Sequence, residues 1–248
     1  MTNIEQLQKF IDDAKNIVFF GGAGVSTASG IPDFRSQNGL YAQNYANKAP
    51  EYILSNTCWK RERQLFYKFY FDKILMNGQK IEPNIIHKKL AELENIGKLK
   101  AIITQNIDTL HQDAGSKNVY QVHGTTFTNH CIRQRCNKEY SIKDLFDRKN
   151  EDGIPTCDCG SAIKPDVTLY EEQLPQDAWK KSVDALKNVD MLIIAGTSLV
   201  VYPAASLVQY FHGDKLVIIN LQETEVDSMA DLVIHEDMKG VFEKIIVR

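Results

Sequence analysis

The chain has 248 residues, enough to bury a full hydrophobic core as one large domain or as a large domain with a small insertion. Its formal charge of −3 provides no basic field for nucleic acid, and no apolar run approaches the roughly 20 residues of a membrane span. Because the N-terminus also lacks the basic start and apolar centre of a secretory signal, we expect a cytoplasmic protein. We also expect a monomer without nucleic-acid or membrane partners.

A helix and a buried strand are the first predicted elements. Thr2 and Glu5 have the spacing of a capping box, and apolar residues follow them at helical intervals. The apolar run 17–20 then predicts a strand, which leads directly into a glycine-rich segment.

The segment 21–36, with the sequence GGAGVSTASGIPDFRS, has the residues of a phosphate-binding turn. Its early glycines let the backbone turn tightly and approach a ligand, and the next helix would begin with free N–H groups. Thr27 stands where the usual dinucleotide fingerprint has its third glycine, so the glycines alone are also compatible with a plain turn. The acid, aromatic ring and cation of Asp33, Phe34 and Arg35 favour a bound ligand.

Later apolar runs alternate with amphipathic helices, apart from an aromatic-rich helical stretch between about residues 38 and 82. This alternation predicts a parallel sheet covered on both faces, the doubly wound arrangement, with ligands at the carboxyl ends of its strands. The predicted strands are 17–20, 101–103, 119–122, 191–195, 216–219 and 232–234, and one of the helices is expected to start at Pro203. Polar motifs follow several of these strands, so one cleft could collect them.

Four of the five cysteines lie close together in the chain, at Cys131, Cys136, Cys157 and Cys159. Two pairs of thiols separated by twenty residues suit one tetrahedral, structural zinc ion, whose binding would fold a small segment. The alternative is four buried thiols without metal. The segment also suggests a nucleic-acid-binding ribbon, but acidic residues between its basic ones cancel the field that phosphate binding needs.

Four motifs in order, GAGVS with GIPDFRS, TQNIDTLH at 104–111, VHGT at 122–125 and GTSL at 196–199, resemble those of the sirtuins. The sirtuins are NAD-dependent protein-lysine deacylases, and the resemblance extends from about residue 10 to about residue 240. With the predicted elements it implies an α/β fold, a Rossmann-like doubly wound parallel sheet with a helical insertion and a small zinc-binding module. We predict that 1–37, 83–125 and 167–248 form the NAD-binding domain, 38–82 the helical insertion, and 126–166 the zinc-binding module.

The resemblance implies NAD as the cofactor and an acyl-lysine protein or peptide as the substrate, with acyl transfer to ADP-ribose and release of nicotinamide. It implies that Asn106 and Asp108 bind the nicotinamide carboxamide and that Gln105 binds the ribose. His123 would be the catalytic base, which takes a proton from the ribose. The predicted cofactor-binding residues are Gly22, Ala23, Gly24, Ser26, Asp33, Phe34, Arg35, Gln105, Asn106, Asp108, Gly196, Thr197, Ser198 and Asn220.

Two other functions use the same nucleotide site. A sirtuin-like protein can transfer ADP-ribose to protein from the same cofactor complex, and we keep this activity as the alternative. An ordinary NAD dehydrogenase would need a hydride-acceptor site, and it would leave the His123–Gly124 pair and the cysteines unexplained.

The acyl-lysine peptide is expected beside the segment 164–172, which in the sirtuins usually ends Phe-Gly-Glu and here ends Tyr-Glu-Glu. Strand addition uses main-chain groups and can survive this change, while the carboxylate of Glu171 predicts a modest preference for basic neighbours of the acyl-lysine. Sirtuins that remove acidic acyl groups carry a Tyr and an Arg three residues apart. The matching positions here are Tyr67 and Tyr70, which predicts a preference for neutral acyl groups.

Overall fold

A parallel sheet and a smaller antiparallel sheet organise the computed structural model, which describes residues 1–36, 39–42 and 44–248. Within these ranges the strands are β1 (Ile17–Gly21), β2 (Leu99–Thr104), β3 (Val119–Gln121), β4 (Gly124–Cys131), β5 (Glu139–Tyr140), β6 (Ile163–Val167), β7 (Met191–Ala195), β8 (Lys215–Ile219) and β9 (Leu232–Ile234). The α-helices there are α1 (Asn3–Asp13), α2 (Gly24–Thr27), α3 (Pro50–Ile53), α4 (Asn56–Arg61), α5 (Arg63–Phe69), α6 (Ile85–Asn95), α7 (Leu110–Asp113), α8 (Ile142–Asp147), α9 (Gln176–Leu186) and α10 (Met238–Lys244).

The large sheet has the strand order β3-β2-β1-β7-β8-β9, and all its pairs are parallel. The central strands β1 and β7 are buried along their whole length because hydrophobic clusters cover both faces. The order changes direction between β1 and β7, and such a switch point opens a crevice at the carboxyl ends of the strands. The predicted doubly wound sheet is therefore confirmed.

The local predictions along this sheet hold with one exception. The capping box of Thr2 and Glu5 forms at the start of α1, and every predicted strand is present. The segment after Pro203 is a 3₁₀ helix, Ala204–Tyr210, and not the expected amphipathic α-helix. Ser206 explains part of this difference, because its N–H and its hydroxyl both donate to the Pro203 carbonyl and favour the tighter turn.

The two insertions share one hydrophobic cluster. It joins rings of α5, such as Phe66 and Phe69, to Cys131 and Cys157 of the cysteine segment and to Ile163 of β6. The small sheet has the order β5-β4-β6, so β6 is an edge strand. The predicted domain limits at 37 and 38 fall on residues outside the described ranges, and the division into three parts stays a prediction.

None of the described helices is both long enough and apolar enough to cross a bilayer.

Candidate functional site

A cavity of about 400 Å³ lies at the carboxyl ends of the large sheet's strands, where the two insertions face it. It collects most of the predicted site residues, although they come from distant parts of the sequence. The predicted residues that line it are Gly22, Ala23, Gly24, Asp33, Phe34, Arg35, Gln105, Asn106, His123, Gly196, Thr197, Ser198 and Asn220. Ser26 and Asp108 are not among the lining residues.

The two glycine turns at the switch point lie against each other. A Cβ on Gly22 would lie 2.7 Å from the Cβ of Thr197, and a Cβ on Gly24 would lie 2.8 Å from the Cα of Gly196. Gly196 also has a φ of +62°, which disfavours other residues. The glycines are thus required because the turns after β1 and β7 pack backbone to backbone beneath the cavity.

Asn106 is held in the cavity wall by the two predicted residues that lie behind it. Its Nδ2 donates to the Ser26 hydroxyl at 2.9 Å, and that hydroxyl donates to Oδ2 of Asp108 at 2.9 Å. Burial raises the pKa of Asp108, an effect that the N–H of Leu110 and the Ser26 hydroxyl partly oppose. The chain of bonds orients the amide of Asn106, which is 7% exposed and lines the cavity.

Gln105 and Asn220, which follow β2 and β8, are each positioned by hydrogen bonds. The Nε2 of Gln105 donates to the Thr197 hydroxyl at 2.9 Å and so links two of the predicted motifs across the site. The Nδ2 of Asn220 donates to the carbonyl of Gln222, and the Asn220 carbonyl lies 2.8 Å from Nδ1 of His235.

His123 is oriented by a backbone carbonyl. Its Nδ1 lies 2.9 Å from the oxygen of Gln105, and because a carbonyl can only accept, Nδ1 carries the proton and Nε2 is the basic nitrogen. Burial lowers the pKa of His123; the Gln105 carbonyl raises it, and the nearby charge of Arg35 lowers it further. The half-buried imidazole is therefore neutral at pH 7.

The four clustered cysteines form one group whose sulfur atoms all lie within 4.8 Å of one another. Sγ of Cys131 is 3.4 Å from that of Cys159, and Sγ of Cys136 is 3.6 Å from that of Cys157. Tetrahedral zinc with Zn–S bonds of about 2.3 Å places its sulfurs about 3.8 Å apart. The donor set and its spacing therefore fit one structural zinc ion, despite the unequal spacing within the two pairs.

Neighbouring groups favour the thiolate forms of Cys157 and Cys159, whereas burial raises the pKa of Cys131 to about 12. The N–H of Ser161 lowers the pKa of Cys159 to about 6, and the Tyr140 hydroxyl donates to Sγ of Cys157 at 3.0 Å. Such outer contacts hold metal ligands in place.

The segment predicted to bind the peptide borders the cavity from Val167 to Glu172. Its first part, β6, is an edge strand, and the N–H of Thr168 donates to the His123 carbonyl at 2.9 Å. Glu171 has a φ of +75°, which explains why glycine suits this position. Its Oε2 accepts from the N–H of Thr57 at 3.0 Å and from the Thr57 hydroxyl at 2.7 Å, so the preference for basic peptides stays a prediction.

Several lining residues were not foreseen as part of the site. Tyr41, Tyr202 and Met238 all face the cavity. All three lie outside the recognised motifs, and Met238 is the first residue of α10. Helical periodicity could not show that the first turn of α10 reaches the switch point.

Comparison with known proteins gives consistent results. The model of the Sir2 family matches residues 22–203. An NAD-dependent protein deacetylase of Clostridium acetobutylicum is 49% identical over 248 residues, with 99% of each chain covered, and one of Clostridium perfringens is 48% identical, with 98% covered. A solved structure of Sir2 with a p53 peptide and NAD⁺ has a TM-score of 0.85 at 36% identity and covers 98% of this chain and 97% of its own. A Sir2 structure with a deacetylated p53 peptide and 3′-O-acetyl-ADP-ribose has a TM-score of 0.89 at 35% identity and the same coverage.

Proposed function

The chain belongs to the Sir2 family and is an NAD-dependent protein deacetylase, and we propose that His123 is the base of its acyl transfer. The main support for this role is the hydrogen bond from Nδ1 of His123 to the Gln105 carbonyl, which leaves Nε2 free to take a proton inside the cavity. A neutral imidazole at this point is matched to proton transfer near pH 7.

The cofactor would lie along the switch point between β1 and β7. When bound, NAD supplies ADP-ribose as the acyl acceptor and nicotinamide as the leaving group. The turns at Gly22–Gly24 and Gly196–Ser198 would hold the phosphates, and Asn220 the adenosine ribose. Asn106, held by Ser26 and Asp108, would bind the nicotinamide carboxamide, and Phe34 would shield the reacting face.

The substrate is an acyl-lysine in a protein or peptide. Solved Sir2 structures carry acetylated and propionylated peptides, and here the edge strand β6 leads into the segment from Val167 to Glu172, which borders the cavity. The four cysteines would hold one zinc ion that supports the fold of this wall and takes no part in the reaction, because four protein ligands leave no open position.

The deciding experiment is mass spectrometry of the products formed from NAD and an acetyl-lysine peptide. Deacetylation gives free nicotinamide, a peptide lighter by one acetyl group and O-acetyl-ADP-ribose. Protein ADP-ribosylation, which the comparisons do not favour, would also release nicotinamide, but it would give a heavier protein and neither O-acetyl-ADP-ribose nor a lighter peptide. That result, or reduced cofactor, would refute the proposal. A cytoplasmic location, a monomeric state and the absence of nucleic-acid and membrane partners stay predictions.

The pH dependence should report the lowered pKa of His123. Only the neutral imidazole can accept a proton, so activity is present above the pKa and is lost as the pH falls through it. Because burial places this pKa below the usual 6.5, more than half of the maximal kcat/KM should remain at pH 6.5. A profile of kcat/KM between about pH 5 and 8 tests this expectation, and an acid limb with its midpoint above 6.5 would contradict it.

Neutral acyl groups should be removed faster than acidic ones. Tyr67 donates to the Ile163 carbonyl and accepts from Nε1 of Trp59 at 3.3 Å, while Tyr70 lines the cavity and Lys68 is exposed. Helix α5 and the turn after it thus present a tyrosine where an acyl carboxylate would need a cation. A hydrogen bond to a charged group contributes about 1.5–3 kcal/mol, so removal of succinyl should be about tenfold slower than removal of acetyl, or slower still.

One peptide carrying acetyl-, butyryl- or succinyl-lysine provides the comparison. The kcat/KM values are measured at saturating NAD, so that only the acyl group differs. Equal rates for succinyl and acetyl would contradict both the alignment of Tyr67 and Tyr70 and the argument from charge.

A further inference from the structure

A contact between two site segments crosses the cavity. The hydroxyls of Tyr41 and Tyr170 lie 3.0 Å apart, and Nη2 of Arg35 donates to the Tyr170 hydroxyl at 3.4 Å. All three residues line the cavity. We call Arg35, Tyr41 and Tyr170 the tyrosine bridge. It joins the segment assigned to the cofactor with the segment assigned to the peptide.

Tyr41 and Arg35 form one unit with the cofactor segment. The N–H of Tyr41 donates to the Phe34 carbonyl at 2.8 Å, and the two rings meet edge to face with centroids 5.3 Å apart. The guanidinium carbon of Arg35 lies 5.4 Å from the centroid of the Tyr41 ring. Burial raises the pKa of Tyr41 well above its usual range, so its hydroxyl keeps a proton that it can donate. The position of Tyr41 therefore affects that of Phe34 and Arg35.

Tyr170 is fixed on the peptide side. Its N–H donates to the Leu54 carbonyl at 3.0 Å, and its carbonyl accepts from the N–H of Asn56 at 3.0 Å. Glu172 adds a bond from Nδ2 of Asn56 at 2.6 Å and an ion pair with Lys164 at 3.1 Å. The backbone that carries the Tyr170 hydroxyl is thus held by the helical insertion and by the segment that adjoins the peptide.

We propose that the Tyr170 hydroxyl is a positioning group through which the acyl-lysine peptide and NAD strengthen each other's binding. A peptide that pairs with residues 167–172 adds contacts to the backbone that carries this hydroxyl, and the hydroxyl in turn contacts Tyr41 and Arg35 on the cofactor side. Coupling of this kind is reciprocal, so NAD tightens peptide binding by the same factor. A phenylalanine at this position, the residue usual in the sirtuins, would lack the hydroxyl. The proposal rests on the deacetylase function and adds to it.

Calorimetry measures the coupling directly. The probe is an NAD analogue with a methylene group in place of the ribose ring oxygen, which cannot release nicotinamide through an oxocarbenium-like state. Its Kd is determined with and without saturating acetyl-lysine peptide, and the ratio of the two values is the coupling factor. Tyr170→Phe should lower this factor about twofold to tenfold, the range of one hydrogen bond. Tyr41→Phe should lower it similarly, and the double variant should add little.

Tyr210→Phe is the matched control, because it removes a hydroxyl from a residue outside the cavity. Its coupling factor should equal that of the wild type. In steady-state kinetics Tyr170→Phe should raise the KM for NAD more than it lowers kcat. If Tyr170→Phe binds both ligands with the coupling factor of the wild type, the proposed role of the tyrosine bridge is wrong and the deacetylase function is unaffected. A wild-type protein that binds neither ligand overturns the deacetylase function and the bridge with it.

Discussion

Replacing His123 with alanine is expected to lower kcat by about 10²- to 10⁴-fold, the range typical of a lost general base. The residue lines the cavity with Nε2 as its basic nitrogen, and no other predicted site residue is a histidine. NAD affinity should change little, because the two glycine turns, Gln105 and Asn106 remain to bind the cofactor. The measurements are kcat with one acetyl-lysine peptide as the substrate and the Kd for NAD.

His212→Ala serves as the control for this variant, since His212 is exposed and does not line the cavity. It should keep wild-type turnover. If His123→Ala also kept it, the assignment of the base would be wrong. If His123→Ala instead lost NAD binding and turnover together, the residue would act mainly in cofactor binding.

Loss of the metal is expected to disorder both insertions while the large sheet persists. Structural zinc sites contribute about 10–16 kcal/mol of apparent binding energy in small zinc-dependent peptides. Cys131 and Cys157 belong to the same hydrophobic cluster as Phe66 and Phe69, so the effect should reach α5 as well as the cysteine segment. Hydrogen exchange should therefore accelerate in residues 126–166 and in α5, and much less in β1 and β7.

Cys131→Ser and Cys58→Ala form a matched pair for this test. Cys58 is the fifth cysteine, buried and outside the metal cluster, so its replacement should leave about one zinc per chain. Cys131→Ser should lose the metal. Wild-type protein purified under reducing conditions without chelator and found free of zinc would refute the four-cysteine site.

Local patterns along the chain were sufficient for the elements and for much of the chemistry. Short apolar runs of three to five residues predicted the strands of the large sheet, and the capping box at Thr2 and Glu5 formed as expected. The cysteine spacing predicted the metal cluster because a zinc ligand set needs only four sulfurs within reach of one point. These features depend on residue type and short-range periodicity.

The roles of Ser26 and Asp108 needed the packed structure. Their motifs placed them with the cofactor-binding residues, but their side chains lie behind Asn106 and orient it. Residue type could not separate a group that faces the cavity from one a few ångströms deeper. That choice depends on how the turns after β1 and β2 pack together.

The sequence by itself determined the doubly wound α/β sheet, the family motifs, the candidate base His123 and the cysteine cluster, because each of these depends on residues that lie close together in the chain. Only the tertiary structure decided that the two insertions share a core and that Tyr41 meets Tyr170, which is 129 positions away in the chain. Contacts between such distant segments depend on the packing of several elements at once. A local pattern of apolar or polar residues therefore cannot predict these contacts.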